Sequence, residues 1–218
     1  MKRKGLILLI WGLALLLPCE SQALGFGLKG GLNLAYQTDP GVIPAEYKMR
    51  GDFLAGAFVS FKLFGRISIQ PEFYYSRKGV LTTDRYYSEE VRNRWEATYL
   101  ELPILFKYRI GNGGKLRPAL LMGPYIAYRL SAKRIQTGFG ITEEKDTTDE
   151  VWPGDYGVIL AGLLEYQAGP GTVVIDLRLG WGLANVLFKG GYNSWVNPPP
   201  DPAASRNRTI SFMIGYGF

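Results

Sequence analysis

Residues 172–185 read TVVIDLRLGWGLAN, and over most of this stretch large apolar side chains alternate with charged or small ones. Large apolar residues occupy the odd positions from 173 to 183, whereas the even positions from 176 to 182 carry an aspartate, an arginine and two glycines. Successive side chains of an extended strand point to opposite faces, so one face of this stretch is apolar and the other is charged or small. The stretch therefore predicts a β-strand that separates two different environments.

Seven further segments alternate in the same way. They are residues 26–36, 52–63, 67–75, 98–110, 116–130, 156–167 and 208–218. No apolar run of 18 residues lies among them, so the pattern predicts strands and no membrane-spanning helix. Three prolines fall inside these segments, and because a closed barrel has no edge strand we expect them at bulges or strand ends. These prolines are Pro71, Pro118 and Pro124.

The connections between the segments are alternately short and long. The short ones are residues 64–65, 111–115 and 168–171, and the long polar ones are residues 38–51, 78–96, 133–155 and 189–207. Short turns at one end and long loops at the other are typical of outer-membrane barrels. The sequence thus predicts an all-β fold, an eight-stranded antiparallel up-and-down transmembrane β-barrel.

A soluble ligand-binding barrel would show the same alternation with its apolar face inward. The polar face argues against it, because charged side chains among small residues suit a narrow interior better than a solvent-facing surface. We predict an interior polar network of Lys29, Asp52, Lys62, Arg66, Glu72, Glu101, Lys107, Arg109, Arg117, Arg129, Glu165, Asp176 and Arg178. The apolar faces carry aromatic residues of the kind that form belts at membrane interfaces. These are Tyr36, Tyr75, Tyr108, Tyr128, Tyr166, Trp181 and Tyr216.

Residues 1–23 resemble a targeting segment. Basic residues at positions 2–4 precede an apolar run at 6–17, which is too short to span a membrane. We expect a cleaved signal peptide that ends at Ala23, followed by a barrel domain over residues 24–218. An uncleaved anchor fits the short run less well, and a lipid-modified Cys19 is disfavoured by the adjacent Pro18.

Composition excludes several kinds of chemistry. The chain has no histidine and one cysteine, so triads and metal sites that need histidine are ruled out. A pair of carboxylates remains conceivable, with Glu72 and Glu101 as the candidates, but ion pairing with interior cations is the favoured interpretation. We expect no catalytic residue, no cofactor and no bound metal. The net charge of +6 is weak evidence for nucleic acid, and we expect no nucleic-acid partner.

Acidic and aromatic residues of the long polar stretches suggest surface roles. Glu143, Glu144, Asp146, Asp149 and Glu150 could hold calcium weakly, although a solvated acidic loop is the favoured interpretation. Exposed aromatic residues are candidate contacts for a partner or a glycan, or anchors in lipopolysaccharide. These candidates are Tyr86, Tyr87, Trp95, Tyr192 and Trp195.

Three motifs resemble the PorT-type outer-membrane β-barrel family, which is common in Bacteroidetes. They are GLKGGLN at residues 27–33, QPEFYYS at 70–76 and YLELP at 99–103. The alternation through Phe212, Ile214, Tyr216 and Phe218 resembles the C-terminal signal that the barrel-assembly machinery reads.

The resemblance implies an outer-membrane location with both termini periplasmic, and contacts with outer-membrane lipids and the assembly machinery. It also implies an accessory or scaffold role in protein secretion or surface assembly, with an envelope or secretion-system protein as partner. A small ligand-binding or conduit barrel is the alternative, and an enzyme acting on envelope lipid is the third.

Overall fold

The computed structural model describes residues 24–37, 46–86, 89–111, 113–149, 153–184 and 206–218. The expected signal peptide lies outside these residues. Within them the chain forms ten strands: β1 (Leu24–Gln37), β2 (Glu46–Lys48), β3 (Arg50–Phe64), β4 (Ile67–Tyr86), β5 (Glu89–Arg109), β6 (Leu116–Gly138), β7 (Ile141–Asp146), β8 (Gly154–Ala168), β9 (Gly171–Gly182) and β10 (Asn207–Gly217). No helix in this described part is long and apolar enough to cross a membrane.

Eight of the strands form a closed antiparallel barrel. Each strand pairs with the next in the order β1, β3, β4, β5, β6, β8, β9 and β10. The barrel closes because β10 pairs with β1 in a continuous register from Gly27 opposite Gly217 to Gln37 opposite Asn207. Closure leaves no unpaired strand edge in the wall, which a hydrocarbon environment demands. The predicted eight-stranded antiparallel barrel is confirmed.

Burial follows the alternation along each strand. On the outer surface, Leu32, Met122 and Ile126 are each at least 61% exposed. On the inner side, Leu121 and Asp176 are 0% exposed. The apolar rows therefore face outward, toward the surroundings of the barrel, and the polar rows face its interior. This is the reverse of a soluble barrel, whose apolar rows fill the interior.

The two ends of the barrel differ. At one end, which we call the turn end, tight connections join β3 to β4, β5 to β6 and β8 to β9. At the other, the hairpin end, β4 and β5 continue as a long ladder as far as Tyr86 opposite Glu89. There β2 pairs with β4, and β7 pairs with β6.

The expectation of long loops at residues 78–96 and 133–155 is therefore wrong for most of their length. These residues continue the strands, and Val80 and Val91 are buried in the extension. Strands that leave the hydrocarbon lose their outward apolar residues, so the alternation that reveals them inside the membrane fades beyond it. The loop expected at residues 189–207 lies almost entirely outside the described residues.

One of the three prolines lies where expected, and the other two do not. Pro118 lies two residues after the start of β6, close to a strand end. Pro71 and Pro124 lie within β4 and β6, at places where paired positions are missing from the ladder but the register is the same on both sides. The register shifts lie elsewhere, near Lys62 and Tyr99. Loss of the proline N–H thus interrupts the ladder locally without a bulge.

Candidate functional site: the interior ion network

Four charged side chains meet across the middle of the barrel interior, and we call them the central quartet. They are Lys29 from β1, Glu72 from β4, and Asp176 and Arg178 from β9. Lys29 Nζ lies 2.8 Å from Glu72 Oε1 and 2.7 Å from Asp176 Oδ2. Arg178 Nη2 donates to the same two oxygens at 2.9 Å and 2.6 Å.

The quartet is neutral and shielded from solvent. The side chains of Lys29, Glu72 and Asp176 are 0% exposed, and that of Arg178 is 5% exposed. Because each anion contacts both cations, no charge of the four is left uncompensated, as burial of ions requires. The contacts also connect strands that are not neighbours in the wall, so the quartet crosses the lumen.

Uncharged neighbours complete the quartet. Gln70 Nε2 donates to Glu72 Oε1 at 2.7 Å, and Arg178 Nη2 donates to the Tyr74 hydroxyl at 3.4 Å. Lys29 Nζ lies 4.9 Å from the centre of the Phe58 ring, a cation–π contact. Gln70 and Tyr74 are not among the residues predicted for the network. Both could have been predicted from the alternation, because Gln70 and Tyr74 lie two residues before and after Glu72 and therefore face inward with it.

A second group of polar side chains lies toward the hairpin end. Lys78 Nζ lies 3.0 Å from Glu101 Oε1 and 3.3 Å from Asp155 Oδ2. Asp155 Oδ2 also accepts hydrogen bonds from Asn207 Nδ2 at 2.9 Å and from the Tyr125 hydroxyl at 3.2 Å. Lys78 and Asp155 are not among the predicted members, because both positions fall in stretches that the sequence predicts as loops.

The Glu72 and Glu101 carboxylates both belong to ion pairs. Glu72 contacts Lys29 and Arg178, and Glu101 contacts Lys78. Both residues are buried, at 2% and 9% exposure. Their arrangement is the ion pairing favoured from the sequence.

Two predicted members of the network, Asp52 and Arg129, lie nearer the hairpin end. Arg50, which the sequence analysis did not select, lies 2.5 Å from Asp52 and 3.1 Å from Glu96. Arg129 is buried and donates to the backbone carbonyl of Thr148. Asp52 and Arg129 therefore contribute to the network through the base of the hairpin extension, away from the central quartet.

The remaining predicted members lie at the turn end. Lys107 forms a buried ion pair with Glu165, and Arg109 Nη2 lies 3.5 Å from the other oxygen of that carboxylate. Arg117 Nε donates to the carbonyl of Gly114 at 3.0 Å. Lys62 and Arg66 are exposed, contrary to the expectation that they lie inside. Both stand near the tight turn after β3, at the open mouth of the lumen, where solvent reaches them.

Apolar side chains fill much of the interior between the polar groups. One buried cluster includes Phe58, Leu105, Leu121, Leu163 and Val174. A smaller one joins Leu54, Tyr74 and Met213. An eight-stranded barrel is just wide enough for side chains to fill, and this interior fits that rule.

The first part of the acidic stretch considered for calcium, residues 141–146, forms an exposed strand. Glu143, Glu144 and Asp146 lie on β7, where Glu144 Oε1 is 3.1 Å from Lys133 Nζ. Asp146 Oδ1 accepts from the Thr148 backbone N–H at 2.8 Å, which lowers the pKa of that carboxyl below its usual value. Glu150 lies outside the described residues. In the described part of the chain, no three potential ligands gather as a metal site.

The predicted loop contacts are only partly described. Trp95 lies on β5, and not in a loop, with the Arg134 guanidinium 5.3 Å from its ring centre. Tyr86 ends β4, although its side chain is outside the described residues, as are Tyr87, Tyr192 and Trp195.

The residues proposed as an assembly signal line the outer face at the end of the chain. Phe212, Ile214 and Phe218 are each more than half exposed. The Phe218 ring stacks on that of Phe26 at 5.3 Å and meets the edge of Tyr216 at 5.0 Å.

A closed strand wall, an apolar outer surface and an ion-paired interior define the class of integral outer-membrane β-barrel proteins. The chain belongs to the family described as the outer membrane protein beta-barrel domain, whose model matches residues 20–187. The match supports the outer-membrane location and the general barrel family. Among curated proteins, none matches the sequence.

Several solved barrels have similar chain traces at low sequence identity. Ail, the attachment invasion locus protein of Yersinia pestis, is 12% identical, with 89% of this chain and 98% of Ail covered and a TM-score of 0.42. Neisserial surface protein A is 8% identical, with 87% and 95% covered and a TM-score of 0.45. The outer membrane protease OmpT of Escherichia coli is 11% identical, with 89% and 96% covered and a TM-score of 0.49.

Proposed function

We propose that this protein is a non-enzymatic outer-membrane scaffold, closed to solutes, that assists protein secretion or cell-surface assembly. The observation that carries the proposal is the central quartet, in which two cations and two anions meet across the lumen at hydrogen-bonding distances. A plugged interior favours functions performed on the surfaces of the barrel over functions performed through it. The PorT-type motifs support secretion or assembly as the process served.

The pairing of the interior carboxylates supports the non-enzymatic part of the proposal. General acid–base catalysis needs a carboxyl group within reach of a substrate proton. Both Glu72 and Glu101 are buried and hold interior cations. An enzyme acting on envelope lipid would have to break these ion pairs before its carboxylates could act.

The difference between the two ends of the barrel supports one orientation of the protein in the outer membrane. Outer-membrane barrels have short periplasmic turns and longer extracellular loops. We therefore place the turn end, with the first residues of β1 and the last of β10, in the periplasm, and the hairpin end outside the cell. The extended sheet around β4, β5 and β6 is then the surface presented to extracellular partners.

The closed lumen can be tested by electrical recording. We expect the purified barrel, inserted in planar bilayers, to show no sustained conductance, because the quartet and the buried apolar clusters occupy the interior. A general porin inserted in the same bilayers is the positive control. Regular single-channel steps from this protein would contradict the closed-lumen proposal and favour a conduit.

The proposed role can be tested by deletion of the gene. We expect a deletion strain to lose part of its secreted or surface-attached protein, measured by quantitative proteomics of the culture medium and the cell surface. Restoration by the wild-type gene is the control. An unchanged protein composition would contradict the role. Altered envelope lipids that return with the wild-type gene, but not with Glu72→Gln or Glu101→Gln, would support an enzyme instead.

A further inference from the structure

The turn end of the lumen carries an excess of positive charge. Five cationic side chains line its two adjoining cavities, and Glu165 is the one acidic side chain among their described lining residues. The five are Lys62, Arg66, Lys107, Arg109 and Arg117. Since the central quartet is neutral, it does not compensate this excess. We call these five cations the turn-end cluster.

The cavities are shaped around the arginines. The first has a volume of about 410 Å³ and is lined by Arg66, Arg109 and Arg117 together with three glycines. The second, of about 260 Å³, reaches deeper and shares Arg109 and Arg117 with the first. Three arginines thus line the first cavity, and two of them also line the second.

Arg109 has donor capacity that the protein leaves unused. Its Nη2 lies 3.5 Å from Glu165, and that carboxylate also pairs with Lys107. Its Nε is buried and has no hydrogen-bond partner among the described residues. The side chain as a whole is 37% exposed and lines both cavities, so a ligand there can reach the guanidinium group.

Glycines keep the first cavity open. Gly65, Gly111 and Gly113 have φ values of 52°, 85° and 118°, in the region that favours glycine. A Cβ built at any of the three would meet nothing within 4 Å, so these turns border open space. The approach to the arginines is therefore free of side chains at these positions.

The cluster also lies beside apolar side chains that point outward. Phe64 is 67% exposed, Leu116 is 54% exposed and Ile110 is 43% exposed. Each is next to, or two residues from, an arginine of the cluster. Apolar residues next to arginines mark the level where acyl chains give way to headgroups.

We propose that the turn-end cluster binds a phosphate group, with Arg66, Arg109 and Arg117 as its hydrogen-bond donors. Arginine matches the oxygens of phosphate through its planar fork of donors, which explains why three arginines and one carboxylate suit this ligand. The phosphate belongs to a phospholipid headgroup or to a soluble phosphate ester. This site goes beyond the proposed secretion role and does not depend on it.

Native mass spectrometry of the detergent-solubilised protein tests the site. The probes are dioleoylphosphatidylglycerol, dioleoylglycerol, which lacks the phosphate, and glycerol 3-phosphate, which lacks the chains. We expect phosphatidylglycerol to bind and dioleoylglycerol not to bind. The double variant Arg109→Gln/Arg117→Gln should weaken phosphatidylglycerol binding by about tenfold, because it removes two charged donors.

The matched control is Arg92→Gln/Lys133→Gln, which removes the same charge from exposed side chains of β5 and β6 at the hairpin end. It should leave binding unchanged. Arg66→Gln, at an exposed position, provides the same test if the double variant fails to fold. Binding of glycerol 3-phosphate would indicate a soluble ester as the source, and its absence a lipid. Equal binding of both lipids, or equal losses in the cluster and control variants, would overturn the proposal.

Discussion

Replacing Arg178 with methionine is expected to lower the free energy of unfolding by about 3–5 kcal/mol, the cost typical of breaking a buried ion pair by removing one partner. The side chain makes ion pairs with Glu72 and Asp176, both fully buried. Without it, two carboxylates share the single charge of Lys29. Methionine has a similar length and preserves much of the packing, so the loss reports mainly on charge.

A second substitution distinguishes charge balance from packing. In Arg178→Met/Asp176→Leu, one cation and one anion are removed together, and the Lys29–Glu72 pair of 2.8 Å remains neutral. We expect this double variant to be more stable than Arg178→Met alone, because replacing a buried ion pair by apolar side chains is often close to neutral. The difference measures the coupling between the two positions.

Urea unfolding of the barrel refolded into lipid vesicles provides the measurement for this series. Arg92→Met is the control, because Arg92 is 65% exposed and its pair with Glu90 lies at the hairpin end. Exposed ion pairs contribute about 0–1 kcal/mol, so the control should change little. If Arg178→Met costs no more than Arg92→Met, the quartet does not stabilise the barrel.

Replacing Leu177 with arginine is expected to cost about 2–4 kcal/mol, the range for arginine facing lipid near the bilayer midplane. Leu177 is 55% exposed and lies on β9 between the inward-facing Asp176 and Arg178. Its level in the wall is therefore that of the central quartet. The cost comes from placing a charge among acyl chains.

The matched control is Ile141→Arg, also on an exposed apolar residue. Ile141 is 63% exposed but lies on β7, in the hairpin extension. If that extension stands in water, the substitution should have little effect on unfolding in vesicles. Equal effects at Leu177 and Ile141 would contradict the proposed position of the membrane around the barrel.

Much of the barrel could be predicted because lipid imposes a simple pattern. The register between β1 and β10 joins two segments whose alternation was visible, and the apolar rows proved to face outward. The hairpin extension was missed for the converse reason. Once β4 and β5 pass beyond Lys78 and Glu96, both faces of the ladder accept polar residues. Apolar and polar residues then no longer alternate along the sequence, so the pattern that predicts a strand is lost.

The network was predictable as a set of inward-facing charges but not as a set of partners. The alternation along β9 predicted that Asp176 and Arg178 face inward. Their partners are far away in sequence, since Asp176 contacts Lys29 across 147 residues and Arg178 contacts Glu72 across 106. Lys78 and Asp155 were not predicted as network members, because the parts of β4 and β8 that carry them were predicted to be loops. Lys62 and Arg66 have inward-type sequence positions, but they lie at the turn-end mouth of the lumen, where solvent reaches them.

The amino-acid sequence by itself determined that the chain forms a barrel with apolar rows outside, because side-chain direction along a strand depends only on position. It could not determine which charge meets which, because that depends on how eight strands are staggered around the closed wall. Only the tertiary structure brings Lys29, Glu72, Asp176 and Arg178 together at the centre and groups Arg66, Arg109 and Arg117 around one cavity at the turn end. The physical reason is that electrostatic pairing is decided by distance in space, whereas alternation is decided by neighbours in the chain.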